Sequence, residues 1–92
     1  MIESIRHKGL RRLFEKNDES KLPTEHLRKI RFILGIMNRA QSLNDINYSG
    51  SGLHKLSGNL TDFYAVKVSG NYRIIFRFEE GAFHDVDYVD YH

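Results

Sequence analysis

Between residues 63 and 89 three runs of alternating apolar residues follow one another, separated only by Ser69-Gly70-Asn71 and Glu79-Glu80-Gly81. Connections that short join antiparallel neighbours, because a parallel return needs a crossover of a dozen residues or more. The C-terminal half is therefore expected to be a meander. In the first run Tyr64, Val66 and Val68 fall on one side; in the second Tyr72, Ile74, Phe76 and Phe78 do, leaving Arg73, Ile75 and Arg77 on the other. A three-residue loop at 69–71 sets Val68 opposite Tyr72 and Lys67 opposite Arg73, whereas a two-residue loop mixes apolar and charged residues. A one-residue slip turns an apolar set outward, so the first register is expected. Lys67, Arg73 and Arg77 then share the face directed away from whatever covers the sheet.

The N-terminal half supplies the cover. Residues 2–7 alternate weakly and suggest a short opening strand. Leu10, Leu13 and Phe14 lie at i, i+3, i+4, one face of a short helix, and residues 17–21 have turn composition. Pro23 suits the first turn of a second helix, Glu25 favours the positive end of its dipole, and the pattern runs to about Ala40. Leu27, Ile30, Ile33, Leu34 and Met37 repeat at helical spacing, with Phe32 and Ile36 widening the arc. Arg28, Lys29, Arg31 and Arg39 occupy the opposite face, either as a solvated surface or as a surface facing nucleic acid or the ribosome. Residues 47–52 form a loop by their Gly and Ser content, and Gly52 leads into a short strand at 53–56. The expected order is β-α-α-β-β-β-β.

With 92 residues there is room for one domain, 1–92, and without cysteine no disulfide or thiolate site supports it. No N-terminal apolar segment and no run of roughly 20 apolar residues is present, so a soluble, cytoplasmic protein without a membrane partner is expected. Charge is uneven: residues 1–46 hold 10 Lys/Arg against 6 Asp/Glu, and residues 47–92 hold 4 against 6. That asymmetry is compatible with a polyanionic partner.

A cationic sheet face flanked by His54, in a chain whose last residues are Asp90-Tyr91-His92, has the parts for cutting RNA without a metal. In that reaction the ribose 2′-OH attacks its own 3′-phosphate. One proton must leave, another must reach the departing 5′-oxygen, and the phosphorus centre gains negative charge. Histidine suits either proton step and arginine suits the phosphate. Taken singly each residue has an ordinary reading: His54 as a surface loop residue, Arg73 as an ion-pair partner, His92 as a frayed end. His7, His26 and His84 show no metal-ligand spacing, and neither metal nor cofactor is expected.

The segments Arg6-His7-Lys8-Gly9-Leu10-Arg11-Arg12-Leu13-Phe14-Glu15, Leu53-His54-x-Leu56-x-Gly58, Val66-x-Val68-Ser69-Gly70-Asn71-Tyr72-Arg73-Ile74-x-Phe76 and Asp90-Tyr91-His92 resemble the HigB toxins of the RelE superfamily. The resemblance spans almost the whole chain. It implies an α+β domain with two N-terminal helices packed on a curved, mainly antiparallel sheet. It also implies an endoribonuclease that cuts messenger RNA in the ribosomal A site, and a helix-turn-helix antitoxin of the HigA type as partner. Carried over by position, His54, Arg73, Asp90, Tyr91 and His92 fall on residues used for catalysis or phosphate contact. His92 and His54 are expected as the proton-transfer pair, Asp90 as base or as the group orienting a histidine, Arg73 on the phosphate, and Tyr91 stacking or donating a hydrogen bond. Many relatives read Leu-His-Pro-Leu-Lys-Gly where this chain has Leu53-His54-Lys55-Leu56-Ser57-Gly58, so the cation expected at Ser57 is missing. Lys55, two positions away and about 6–7 Å along a strand, and Lys67 on the sheet face are the candidates to replace it, with Arg77 a further phosphate contact. The rival readings are a non-catalytic module that modulates a DNA-bound partner and an RNA-binding domain independent of the ribosome.

Overall fold

The computed structural model describes residues 1–90. Helix α1 spans Lys8–Lys16, and a single 3₁₀ turn, Thr24–His26, leads into α2, Leu27–Arg39. Four strands follow, β1 His54–Lys55, β2 Phe63–Ser69, β3 Tyr72–Glu79 and β4 Ala82–Asp90, in the spatial order β1-β2-β3-β4 with every pairing antiparallel. The opening segment does not form a strand of its own. It runs parallel to β4 through two isolated bridges, Ile2 to Phe83 and Ile5 to Val86. No helix among the described residues is long and apolar enough to cross a membrane.

Helix α1 begins and ends where its sequence provides a cap. His7 precedes α1 in extended conformation and its Nδ1 accepts the Leu10 N–H at 3.2 Å. Asn17 closes α1 in the left-handed region (φ 55°), a place asparagine tolerates, and its N–H returns to the Leu13 carbonyl. Helix α2 stops at Ala40, whose N–H bonds the Ile36 carbonyl, and Ser42 with Asp45 forms a capping box on the following turn. The stripe Ile30, Ile33, Leu34 and Met37 is buried against the sheet, together with Leu10 and Leu13 from α1. Val66, Val68, Ile74, Phe76, Phe83 and Val86 meet it from the strands. Phe76 and Phe83 are fully buried and pack edge to face at 5.2 Å.

The pairing of Lys67 with Arg73 is as expected, but the connection that achieves it is not. Ser69 pairs with Tyr72 across the two residues Gly70 and Asn71, and the register shifts between Lys67 and Ser69, so Val68 is the extra residue of a bulge. Gly70 (φ +56°) takes the first central position of the turn, which a type II′ hairpin reserves for glycine. A two-residue loop alone would have slipped the register; the bulge absorbs the difference and keeps Val68 buried. A second shift lies between Ile75 and Arg77, where β4 bulges at Asp85 (φ 53°). Its N–H donates to Ser4 Oγ at 2.8 Å and its carboxylate accepts from Arg77 Nε at 2.8 Å, which offsets the cost of a non-glycine residue at positive φ.

The face away from the helices is not the open cationic surface the alternation implies. Phe63, Ala65 and Ile75 form a small second core there, closed by Leu56 and flanked by Leu60 and Val89. The chain between β1 and β2, including the 3₁₀ turn Gly58–Leu60, folds over the middle of that face.

Candidate active site

What remains open on this face lies toward the β2–β3 hairpin. Residues paired across strands share a face, so the registers His54–Ala65–Ile75 and Lys67–Arg73 put His54, Lys67 and Arg73 on one surface. His54 is set by the loop before it. Ser51 is buried, its carbonyl accepts the Lys67 N–H at 2.8 Å, and its hydroxyl accepts the Leu53 N–H at 3.2 Å. Gly52 (φ +63°) turns the chain over β2 in a left-handed conformation that favours glycine, with room for a Cβ at an ordinary 3.8 Å from Lys67 Cβ.

The exposed His54 ring lies with Nδ1 at 2.8 Å from the Gly52 carbonyl oxygen. A carbonyl only accepts, so Nδ1 carries the hydrogen and in the neutral ring the lone pair sits on Nε2. That is the form a general base needs. Arg73, half-buried, folds back over the hairpin and its Nη1 donates to the carbonyls of Gly70 (2.6 Å) and Tyr72 (3.0 Å). Its Nε and Nη2 have no partner among the described residues, so the guanidinium is held in place with donors to spare. Lys67 is exposed and has no ion-pair partner among the described residues. Two strand spacings and two residues separate His54 from Arg73, roughly 12 Å between Cα atoms, a span that a bound phosphodiester segment bridges from either side.

The other sequence candidates fall elsewhere. Lys55 pairs with Tyr64 and therefore points to the helix side, its ammonium 6.0 Å from the centre of the Tyr64 ring. Strand β1 ends at Lys55, so Ser57 lies beyond it at the start of the 3₁₀ turn, and the expected strand relation between the two positions does not hold. Arg77 shares the Arg73 face but four residues along β3, roughly 13 Å away. There it is held by Asp85 at 2.8 Å and Glu79 at 2.9 Å, and these carboxylates raise its pKa further. Asp90 pairs with Tyr72, so the register sets it on the helix side of the sheet, one strand from Arg73 but on the other face. Tyr91 and His92 lie outside the described residues. Among the described residues no group of three or more His, Asp or Glu side chains is placed to hold a metal ion.

Sequence reasoning passed over one cluster beside this end of the sheet. His26 is buried, with its Nδ1 2.5 Å from the Tyr88 hydroxyl and its ring 4.8 Å from that of Tyr72. Tyr72 and Tyr88 stack at 5.5 Å, and His7 meets Tyr88 edge-on at 5.5 Å. Burial, followed by the nearby Tyr72, Glu25 and Asp90, pushes the Tyr88 hydroxyl up to about 12. The periodicity of α2 does carry the signal: His26 stands four residues before Ile30, on the stripe that also holds Ile33 and Met37.

A family model described as RelE-like toxin of type II toxin-antitoxin system HigB matches residues 3–92. The chain is 35% identical, over 92 residues and the full length of both proteins, to the endoribonuclease HigB of Proteus vulgaris. In fold it is similar to the YoeB dimer structure from Staphylococcus aureus, with a TM-score of 0.60 and 16% identity over 99% of this chain and 97% of that one.

Proposed function

The chain belongs to the RelE-like HigB toxins of type II toxin–antitoxin systems, and on that premise we propose that it is an endoribonuclease acting on messenger RNA in the ribosomal A site. The observation that carries the reading is the exposed His54, with Nδ1 committed to the Gly52 carbonyl and so the lone pair left on Nε2, on the face that carries Lys67 and Arg73. In the proposed reaction a base takes the 2′-hydroxyl proton, the 2′-oxygen forms its bond to phosphorus, and the bond to the 5′-oxygen breaks as an acid protonates it. The products are a 2′,3′-cyclic phosphate and a 5′-hydroxyl.

His54 is proposed for one proton step and His92 for the other, with Asp90 serving as base or orienting a histidine and Tyr91 contacting a base or an oxygen. Arg73, braced by the turn carbonyls, stabilises the charge growing on the phosphate, and Lys67 takes the part of the cation missing at Ser57. Arg77, neutralised by two carboxylates, is proposed to brace the Asp85 bulge, and Lys55 to contact RNA from the edge of the sheet. So few cations spread over roughly 12 Å leave much of the alignment of the RNA to another body, and the ribosome supplies it. A helix-turn-helix antitoxin of the HigA type is the proposed neutralising partner, and the cytoplasm, where translating ribosomes are, the proposed location.

The test is cleavage of a defined messenger RNA by untagged protein, with and without programmed ribosomes, comparing wild type with His54→Gln, Arg73→Ala and His92→Ala. Ribosome-dependent cuts that the three substitutions suppress are expected. Equal cutting of naked RNA would make the protein a free ribonuclease. Well-folded wild type that cuts nothing in either condition would point to a binding module acting through its DNA-bound partner.

A further inference from the structure

Tyr88 is where both helices are fastened to the end of β4. From one side His7, the cap of α1, meets its ring, and from the other His26, in the turn that opens α2, meets its hydroxyl at 2.5 Å. Tyr72 stacks beneath it on β3. Both histidines are tied to their own helix starts. His7 is held by the Leu10 N–H on its Nδ1 and by the ring of Tyr88. His26 is buried at the head of the stripe that packs α2 on the sheet. Two residues after Tyr88 comes Asp90, paired with Tyr72. Tyr88 thus ties the helix side of β4 down two residues before Asp90, while Val89 packs on the small core of the opposite face.

We propose that His26 and Tyr88 are positioning residues: their hydrogen bond fixes the exit of β4 and thereby the place from which Asp90 acts. The inference rests on the reading of the chain as a ribonuclease and goes beyond it, since neither residue belongs to the candidate site. The physical case is one of anchoring. A strand end frays more readily than the middle of a strand. A buried side-chain hydrogen bond to a rigid helix start removes that freedom, and displacement of a reacting group by about 1 Å can cost 10²-fold in rate. The titratable groups gathered around the Tyr88 hydroxyl are His7, His26, Glu25, Tyr72 and Asp90. With the hydroxyl raised to about 12 it keeps its proton at neutral pH, and a neutral hydroxyl bonds Nδ1 of His26 in either ring tautomer, by donating its O–H or by accepting the Nδ1–H.

The experiment uses the full-length untagged protein and programmed ribosomes under single-turnover conditions. Tyr88→Phe keeps the ring and its stacking and removes only the hydroxyl. It is expected to slow the cleavage step about tenfold while half-saturation in ribosomes changes by less than about twofold. His26→Ala should do the same, and His26→Asn, whose amide can offer either an acceptor or a donor near the position of Nδ1, should restore part of the rate. Tyr64→Phe, a half-buried tyrosine stacked on Phe76 in the same layer, should cleave as wild type. In an Asp90→Asn background Tyr88→Phe should cause no further slowing. A Tyr88→Phe protein as fast as wild type, or one that slows the Asp90→Asn protein by the same factor, overturns the inference while leaving the ribonuclease reading intact. Wild type that cuts nothing overturns both.

Discussion

Replacing Gly9 by alanine sets two known effects against each other, and the structure decides which wins. Gly9 is buried in the first turn of α1 and has no positive φ. On propensity alone alanine in a helix is favoured over glycine by about 0.8–1.0 kcal/mol. A Cβ at this position, however, lies 3.0 Å from His7 Cε1, 3.1 Å from Lys21 Cβ and 3.2 Å from His7 Nδ1, well inside the roughly 3.5–4.0 Å optimum for carbon contacts. The His7 ring cannot turn away without losing the Leu10 N–H, a cap worth about 1 kcal/mol, and without leaving Tyr88. Overpacking of this kind costs about 1–3 kcal/mol. The net expectation is a loss of about 1 kcal/mol, read from urea denaturation followed by circular dichroism. The sharper assay is a double-mutant cycle. His7→Ser keeps a capping oxygen but removes the ring and with it two of the three close contacts, so Gly9→Ala should then be neutral or stabilising by up to about 1 kcal/mol. The coupling should be at least about 1 kcal/mol. A Gly9→Ala protein that is more stable than wild type by about the propensity difference, or a cycle without coupling, would refute the placement of His7 as a fixed strut.

Phe83→Ala should cost about 3–5 kcal/mol in urea unfolding, because the ring is fully buried between Phe76 and Phe78, whereas Phe32→Ala, 48% exposed on α2, should cost under about 1 kcal/mol. Asp18 is held well below the usual carboxylate range by the hydroxyl and N–H of Ser20 and by Arg12. A depressed carboxylate stabilises above its unfolded value near about 4 and loses that contribution as pH falls toward its folded value, so the urea midpoint should fall more steeply below pH ~4 in wild type than in Asp18→Asn. Arg77→Met should lower the melting temperature yet leave ribosome-dependent cleavage within about twofold of wild type; a much larger loss of cleavage in a folded protein would return Arg77 to the phosphate.

How far the sequence could be read depended on how local the controlling interaction was. The alternation over 63–89 and the short Gly-containing connections announced a meander, and the Lys67–Arg73 pairing followed from keeping apolar residues on one side. The device that realises this pairing, a bulge at Val68 with a two-residue turn, was not legible, because an extra residue absorbed within a strand leaves no mark on the alternation around it. His54 and Arg73 were identified from resemblance and chemical type, and each reads alone as an ordinary surface residue. Their common face is a consequence of two strand registers, and the tautomer that leaves the lone pair on Nε2 of His54 depends on a carbonyl two residues back. Arg77 matched the same alternation, but Asp85, which holds it, reaches it only through a bulge on the neighbouring strand.

By itself, then, the sequence determined the two helices, the four strands that follow them and the pairing of the three long ones, though not the state of the opening segment, since helical and strand periodicities and turn residues act over a few positions. Tertiary structure alone decided the second small core over the sheet, the separation of Lys55 and Asp90 from the Arg73 face, and the joining of His7 and His26 at Tyr88. Those outcomes hang on residues far apart in the chain, His26 and Tyr88 by 62 positions and His7 and Tyr88 by more, brought together by burial of the apolar stripe of α2, which is non-directional and specifies that surfaces meet but not which polar atoms meet with them.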